Sequence, residues 1–197
     1  VKNPKNPLDH LTMKYWFLFI FLLGFLLPST DPFEQLPPIV FVQSKDAHLH
    51  NANGTWLYGE KPFNGYILEK DHHVLINKMP IIAGKEHGIA RGWYPNGQKK
   101  YERRFIKGNR EGYHLGWYPN GSKAFVHFFK ADKFEGEQRT YFENGRPWQN
   151  LHYLHGYEEG KQQSWNESGR LINNFTVKNG KLYGVIGRYD CMSVYTH

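Results

Sequence analysis

The sequence predicts an all-β fold: an elongated, single-layer antiparallel sheet built from tandem 24-residue β-hairpins. Three observations predict it. Gly88, Gly112, Gly136, Gly160 and Gly184 stand 24 residues apart without slippage. Five residues after each comes a large aromatic: Trp93, Trp117, Tyr141, Trp165 and Tyr189. Nine residues after the first four comes a second glycine, at Gly97, Gly121, Gly145 and Gly169, preceded by Asn96, Asn120, Asn144 and Ser168. A fixed period of this length marks one supersecondary unit copied in tandem.

Each unit reads as one hairpin. Asn-Gly between aromatic, alternating runs is a strong hairpin signal, and both residues tolerate the positive φ of a type I′ turn. Residues 88–94 and 98–105 are therefore the paired strands, with Pro95 just ahead of the turn. The second turn falls near Gly108–Glu111, before the next unit opens at Gly112. Because side chains alternate across a strand, Ile89, Arg91 and Trp93 share a face with Tyr113, Leu115 and Trp117 of the next unit, and with Glu137, Arg139 and Tyr141 of the one after. Glu111, Glu135 and Glu159 recur just before the unit glycine and are expected to pair with neighbouring Lys or Arg.

The pattern extends upstream in weaker form. Gly84–Gly88 parallels Gly108–Gly112, and Phe63-Asn64-Gly65 reads as an earlier unit start in which Asp71-His72-His73 replaces the Pro-Asn-Gly turn. The array is placed at residues 56–190, after a linker and an irregular N-terminal hairpin at 31–55 and before a C-terminal cap at 191–197. Residues 1–30 form a leader. In it, residues 16–27 are apolar apart from Gly24, follow Lys14 and precede Pro28-Ser29-Thr30. That run is short of the roughly twenty residues a spanning helix needs, so it reads as a signal peptide or a short anchor with Met13 as the start. The expected location is therefore exported: periplasmic, at the cell surface, or held on the membrane by the N-terminal segment.

The turns also carry a resemblance. Tyr94-Pro95-Asn96-Gly97-Gln98-Lys99 and Tyr118-Pro119-Asn120-Gly121-Ser122-Lys123 resemble the bacterial variant of the MORN repeat, with Phe142-Glu143-Asn144-Gly145-Arg146 and Trp165–Arg170 as looser copies. The resemblance implies a non-catalytic interaction scaffold, because the family has no shared catalytic residues. It includes proteins labelled as antitoxins, and eukaryotic MORN proteins are associated with membrane lipids, scaffolding and dimerisation.

Composition fits binding better than catalysis. The chain has 197 residues, a formal net charge of +7 and a single cysteine. No nucleophile-elbow or triad pattern is present, no cofactor is expected, and the chain is read as not an enzyme. The leading expectation is a protein partner in the cell envelope, bound through Trp93, Trp117, Tyr141 and Trp165 with Arg91 and Arg139 beside them. An antitoxin-like neutraliser is one alternative. An anionic membrane surface met by Lys99, Lys100, Arg103 and Arg104 is another. A third is copper handling by Cys191, Met192 and His197, whose thiolate and thioether suit a soft ion. Nucleic acid is a poor match for an exported protein.

Overall fold

The computed structural model describes residues 35–185, which fall within a single compact unit that begins at Gln35. The leader and the C-terminal segment carrying Cys191, Met192 and His197 lie outside the described residues.

The described chain is all β. It enters through β1 (Phe41–Gln43) and then forms β2 (Leu49–Ala52), β3 (Thr55–Tyr58) and β4 (Lys61–Pro62). There follow β5 (Gly65–Asp71), β6 (Val74–Ile82), the short β7 (Lys85–Glu86), β8 (Gly88–Trp93), β9 (Lys99–Ile106) and the short β10 (Asn109–Arg110). Next come β11 (Gly112–Trp117), β12 (Lys123–Lys130), the short β13 (Lys133–Phe134) and β14 (Gly136–Tyr141). The last four are β15 (Pro147–Leu154), β16 (Tyr157–Trp165), β17 (Leu171–Lys178) and β18 (Lys181–Val185).

The expected single-layer antiparallel sheet needs correcting in two respects. β2, β3 and β4 make a separate three-stranded sheet, and β1 joins the main sheet parallel to β5, pairing Phe41 with Tyr66 and Gln43 with Leu68. The main sheet otherwise runs antiparallel in chain order from β5 to β18. The second sheet exists because this end has apolar side chains to bury. Leu49, Phe63, Ile67 and Ile81 are buried together, with Val42, Trp56 and Met79 against them. Backbone bonds join the layers there, Trp56 N–H to Gly84 C=O at 2.7 Å and Gly84 N–H to Phe63 C=O at 2.8 Å.

The Asn-Gly turn is not of the expected type I′. At Tyr94–Gly97 the Gly97 N–H reaches Tyr94 C=O at 2.8 Å, and Tyr94 N–H reaches Gln98 C=O at 2.8 Å. Gly97 has φ +84°, but Asn96 is not among the positive-φ residues. This is a type I turn closed by a glycine bulge. Pro95 fits its first corner, because its ring fixes φ near −65°, and the same turn forms at Phe142–Gly145 with Glu143 in that place. The type I′ geometry lies at the opposite end of the strands, at Lys107-Gly108 (φ 50° and 88°), Ala131-Asp132 (48° and 65°) and His155-Gly156 (54° and 90°).

The evenly spaced glycines answer to backbone geometry. Gly88, Gly112, Gly136, Gly160 and Gly184 have φ of 103°, 70°, 66°, 92° and 112°. The first four sit where the pairing slips: Arg110 opposes Phe105, yet Leu115 opposes Glu102, whereas Gly184 lies in regular register opposite Phe175. A side chain at such φ is strained. Gly92 and Gly116 are needed for a different reason. They oppose Tyr101 and Phe125, whose rings lie flat over them, so an added Cβ would come within 2.2 and 2.1 Å of ring carbons.

Candidate functional site

Cross-strand register defines the two faces. One row runs Arg91, Glu102, Leu115, Val126, Arg139, Asn150, Gln163 and Asn174, each opposite the next. Trp93, Trp117, Tyr141 and Trp165 follow on the same face of their strands, paired with Lys99, Lys123, Pro147 and Leu171. All four aromatics are half-buried. The expected aromatic and arginine side chains thus share one face, here called the row face.

Glu102 organises the first part of that face. It accepts from Arg91 Nε and Lys99 Nζ, each at 3.0 Å, and Lys99 Nζ lies 5.0 Å from the Trp117 ring centroid. Burial pushes the Glu102 carboxyl upward, but the hydrogen bonds from Lys99 and Arg91 together hold it below its ordinary value. Farther along, Glu137 is shared between Arg139 and Asn150 Nδ2, the latter at 2.7 Å. Burial again acts upward on Glu137, and the Arg139 and Asn150 bonds bring it below the usual range.

The basic cluster expected between residues 99 and 110 is dispersed by the same alternation. Lys99 is tied to Glu102 on the row face. Arg103 opposes Ala90 on the other face, 4.5 Å over the Tyr101 ring. Arg104 opposes Ile89 on the row face. Arg110 bonds Asp132 through Nε at 3.0 Å. Lys100 is exposed, 5.5 Å from the Tyr94 ring centroid. These side chains do not make one continuous patch.

The opposite face holds a column that sequence reasoning missed. Two residues after the unit glycines stand Ala90, His114, Gln138 and Gln162, exposed by only 4, 3, 3 and 0%. His114 Nε2 bonds Arg104 C=O at 2.7 Å. Gln138 Oε1 accepts Phe128 N–H at 3.0 Å while its Nε2 donates to Phe128 C=O at 3.0 Å. Gln162 treats His152 alike, donating to its C=O at 2.7 Å and accepting from its N–H at 3.3 Å. The glycine bulge spreads the strands, and a side-chain amide restores the lost backbone bonds. The signal lay in the sequence: amides and a histidine on a face that alternation turns inward.

An aromatic ladder accompanies this column. His114 lies 5.4 Å from Phe105 and 4.6 Å from Phe129, and Phe129 lies 4.6 Å from Phe134. His127, opposite His114, stacks on Phe125 at 4.8 Å. Burial, reinforced by His114, lowers the His127 pKa to about 4. Burial also lowers His114.

The recurring glutamates do not pair with Lys or Arg as expected. Glu111, Glu135 and Glu159 accept the backbone N–H of Ala131, His155 and Asn179, at 2.8, 2.7 and 3.1 Å. Asn64 does the same for Ala83 at 2.7 Å. At these four turns the first residue presents an N–H that the strands leave unpaired, and a carboxylate or amide one hairpin earlier takes it; at Lys107 the acceptor is His87 Nδ1, at 3.4 Å.

Among the described residues, no group of three or more His, Cys, Asp or Glu side chains could hold a metal ion, and no helix is long and apolar enough to cross a membrane. Residues 86–107 and 134–155 match the MORN repeat variant family. No curated protein matches the chain.

Proposed function

We propose that the chain is a non-catalytic protein-interaction scaffold, a tandem array of 24-residue hairpin units exported to the cell envelope. The observation that carries this reading is the row face. Trp93, Trp117 and Tyr141 lie along it beside Arg91 and Arg139, half-buried or exposed, over several consecutive strands. Aromatic and arginine side chains on a rigid sheet are the residue types that anchor protein interfaces. The match to the MORN repeat variant supports the repeat assignment. The apolar run at residues 16–27 behind Lys14 supports export.

The test compares wild type with an Arg91→Ala, Arg139→Ala double variant, both tagged and shown to be folded by circular dichroism. Native envelope extract is passed over each, and bound species are identified by mass spectrometry. One stoichiometric protein, retained by wild type and lost by the variant, is expected. Recovery of lipid or metal with no protein overturns the reading.

A further inference from the structure

Of the three bulges at Gly112, Gly136 and Gly160, the one at Gly136 is open. A Cβ added to Gly112 would meet Arg104 Cδ at 3.2 Å, and one added to Gly160 would meet His152 Cβ at 3.3 Å. A Cβ on Gly136 would meet nothing within 4 Å. Position by position, Arg104 and His152 correspond to Phe128, 24 residues from each. Phe128 does not cover its glycine. It packs instead on Tyr113 across the strand pair, ring centroids 4.9 Å apart and planes at 65°. The result is a depression of about 360 Å³ on the row face, walled by Tyr113, Phe128 and Val126, floored by Gly136, and edged by Glu135, Glu137 and Arg139.

The chemistry of this corner is specific. Two rings meet nearly at right angles, and Tyr113 is 62% exposed. Two carboxylates face one guanidinium at the edge, a formal charge of −1 on a chain whose net charge is +7. Glu137 is held ionised by Arg139 and Asn150. Ring faces and carboxylates together attract a cation. A guanidinium suits the corner better than an ammonium. It is flat, weakly hydrated and stacks on rings, and its fork can donate to a carboxylate. The neighbouring bulge at Gly112 points the same way, because there the chain lays the Arg104 side chain over the glycine.

We propose that the corner formed by Tyr113, Phe128, Gly136 and Glu137 is a binding site for an arginine side chain of a protein partner. This rests on the interaction reading above and names the partner chemistry at the row face. The guanidinium lies against Tyr113 and Phe128, and its N–H groups face Glu137.

The probe is acetyl-arginine methylamide, titrated into the protein and followed by NMR. Acetyl-citrulline methylamide, the neutral isostere, and acetyl-lysine methylamide are the controls. A Kd of about millimolar order is expected for the arginine compound, with shifts confined to signals of Tyr113, Phe128 and Glu137. The citrulline compound is expected to bind about fivefold more weakly or not at all. Glu137→Gln is expected to weaken arginine binding by a similar factor. Phe128→Arg is expected to fill the corner as Arg104 fills the one at Gly112, abolishing the shifts in a protein whose circular dichroism is unchanged.

Equal shifts from arginine and citrulline, shifts centred elsewhere, or undiminished binding by a folded Phe128→Arg variant would each overturn the proposal. If the arginine compound fails while wild type still captures a protein from extract, this site is wrong and the scaffold reading stands. If the arginine compound binds but no protein is captured, the scaffold reading fails alone.

Discussion

The side chain of Gln138 stands in for a strand opposite Phe128, accepting from its N–H and donating to its C=O, both at 3.0 Å. Replacing it by an isosteric apolar group leaves the Phe128 N–H unpaired and its C=O with the Glu135 N–H alone. Gln138→Leu should therefore destabilise the protein by about 1–3 kcal/mol, read as a lower denaturant midpoint at unchanged slope. Gln162→Leu should behave alike. A loss below about 0.5 kcal/mol at both sites would mean that water replaces the amide without cost.

The turn glutamates predict a graded series. Glu135→Gln keeps an acceptor for the His155 N–H and should cost little. Glu135→Ala removes it and should cost about 1 kcal/mol, with faster amide exchange confined to the turn at His155-Gly156. Equal effects of the two substitutions would make charge, and not the hydrogen bond, the stabilising element.

Acid should loosen the centre of the sheet. The His127 pKa is lowered from 6.5 to about 4 by burial and by His114. Between those values the unfolded chain binds the proton and the folded one does not. Stability is therefore full above about pH 6.5 and is lost as pH falls toward about 4. The loss is at most about 3 kcal/mol from this ring, and less because solvent reaches part of it. His114, lowered in the same direction, adds to it through a coupled titration. His127→Phe should flatten the stability profile across this window. His114→Gln should remove its own share and keep the Arg104 contact, since glutamine fills the matching place at 138 and 162. A wild-type profile flat from pH 7 to 4.5 would mean that both rings stay accessible.

Space at Gly116 gives a fourth expectation. Gly116→Ala drives a methyl to within 2.1 Å of a Phe125 ring carbon, so the ring must swing away. Destabilisation of about 1–3 kcal/mol is expected, measured by thermal or denaturant melts. A neutral outcome would show that Phe125 moves freely over its neighbour strand.

Much of the architecture was legible because backbone needs write themselves into sequence. The glycine spacing, the aromatic beside each first strand and the alternation that puts Arg91, Trp93, Trp117 and Arg139 on one face all follow from strand geometry. What sequence reasoning misplaced were the turn types. Asn96-Gly97 suits a type I′ corner locally, but Pro95 restricts the preceding residue, and only the pairing reveals that proline lies inside the turn. The separate sheet at Leu49–Pro62 was also hidden, because its three strands look like one more irregular hairpin until Leu49, Phe63 and Ile81 are seen packed together. The corner at Gly136 left almost no sequence signal. It arises from which way Phe128 turns, a choice set by the Tyr113 ring across the strand.

At the type I′ turns the backbone N–H groups of the turn residues donate backward along the chain. Ala83, Ala131, His155 and Asn179 donate to side chains about twenty residues before them, and Gly108, Asp132 and Gly156 donate to the carbonyls of Glu86, Arg110 and Phe134. These turn N–H groups wait for no acceptor that has yet to be made, whereas Trp56 waits for Gly84 and Arg110 for Asp132. On a chain emerging from the ribosome N-terminus first, the apolar end appears first and each later hairpin docks on a finished template. Assembly can thus keep pace with synthesis, leaving at any moment one growing rim of unpaired strand.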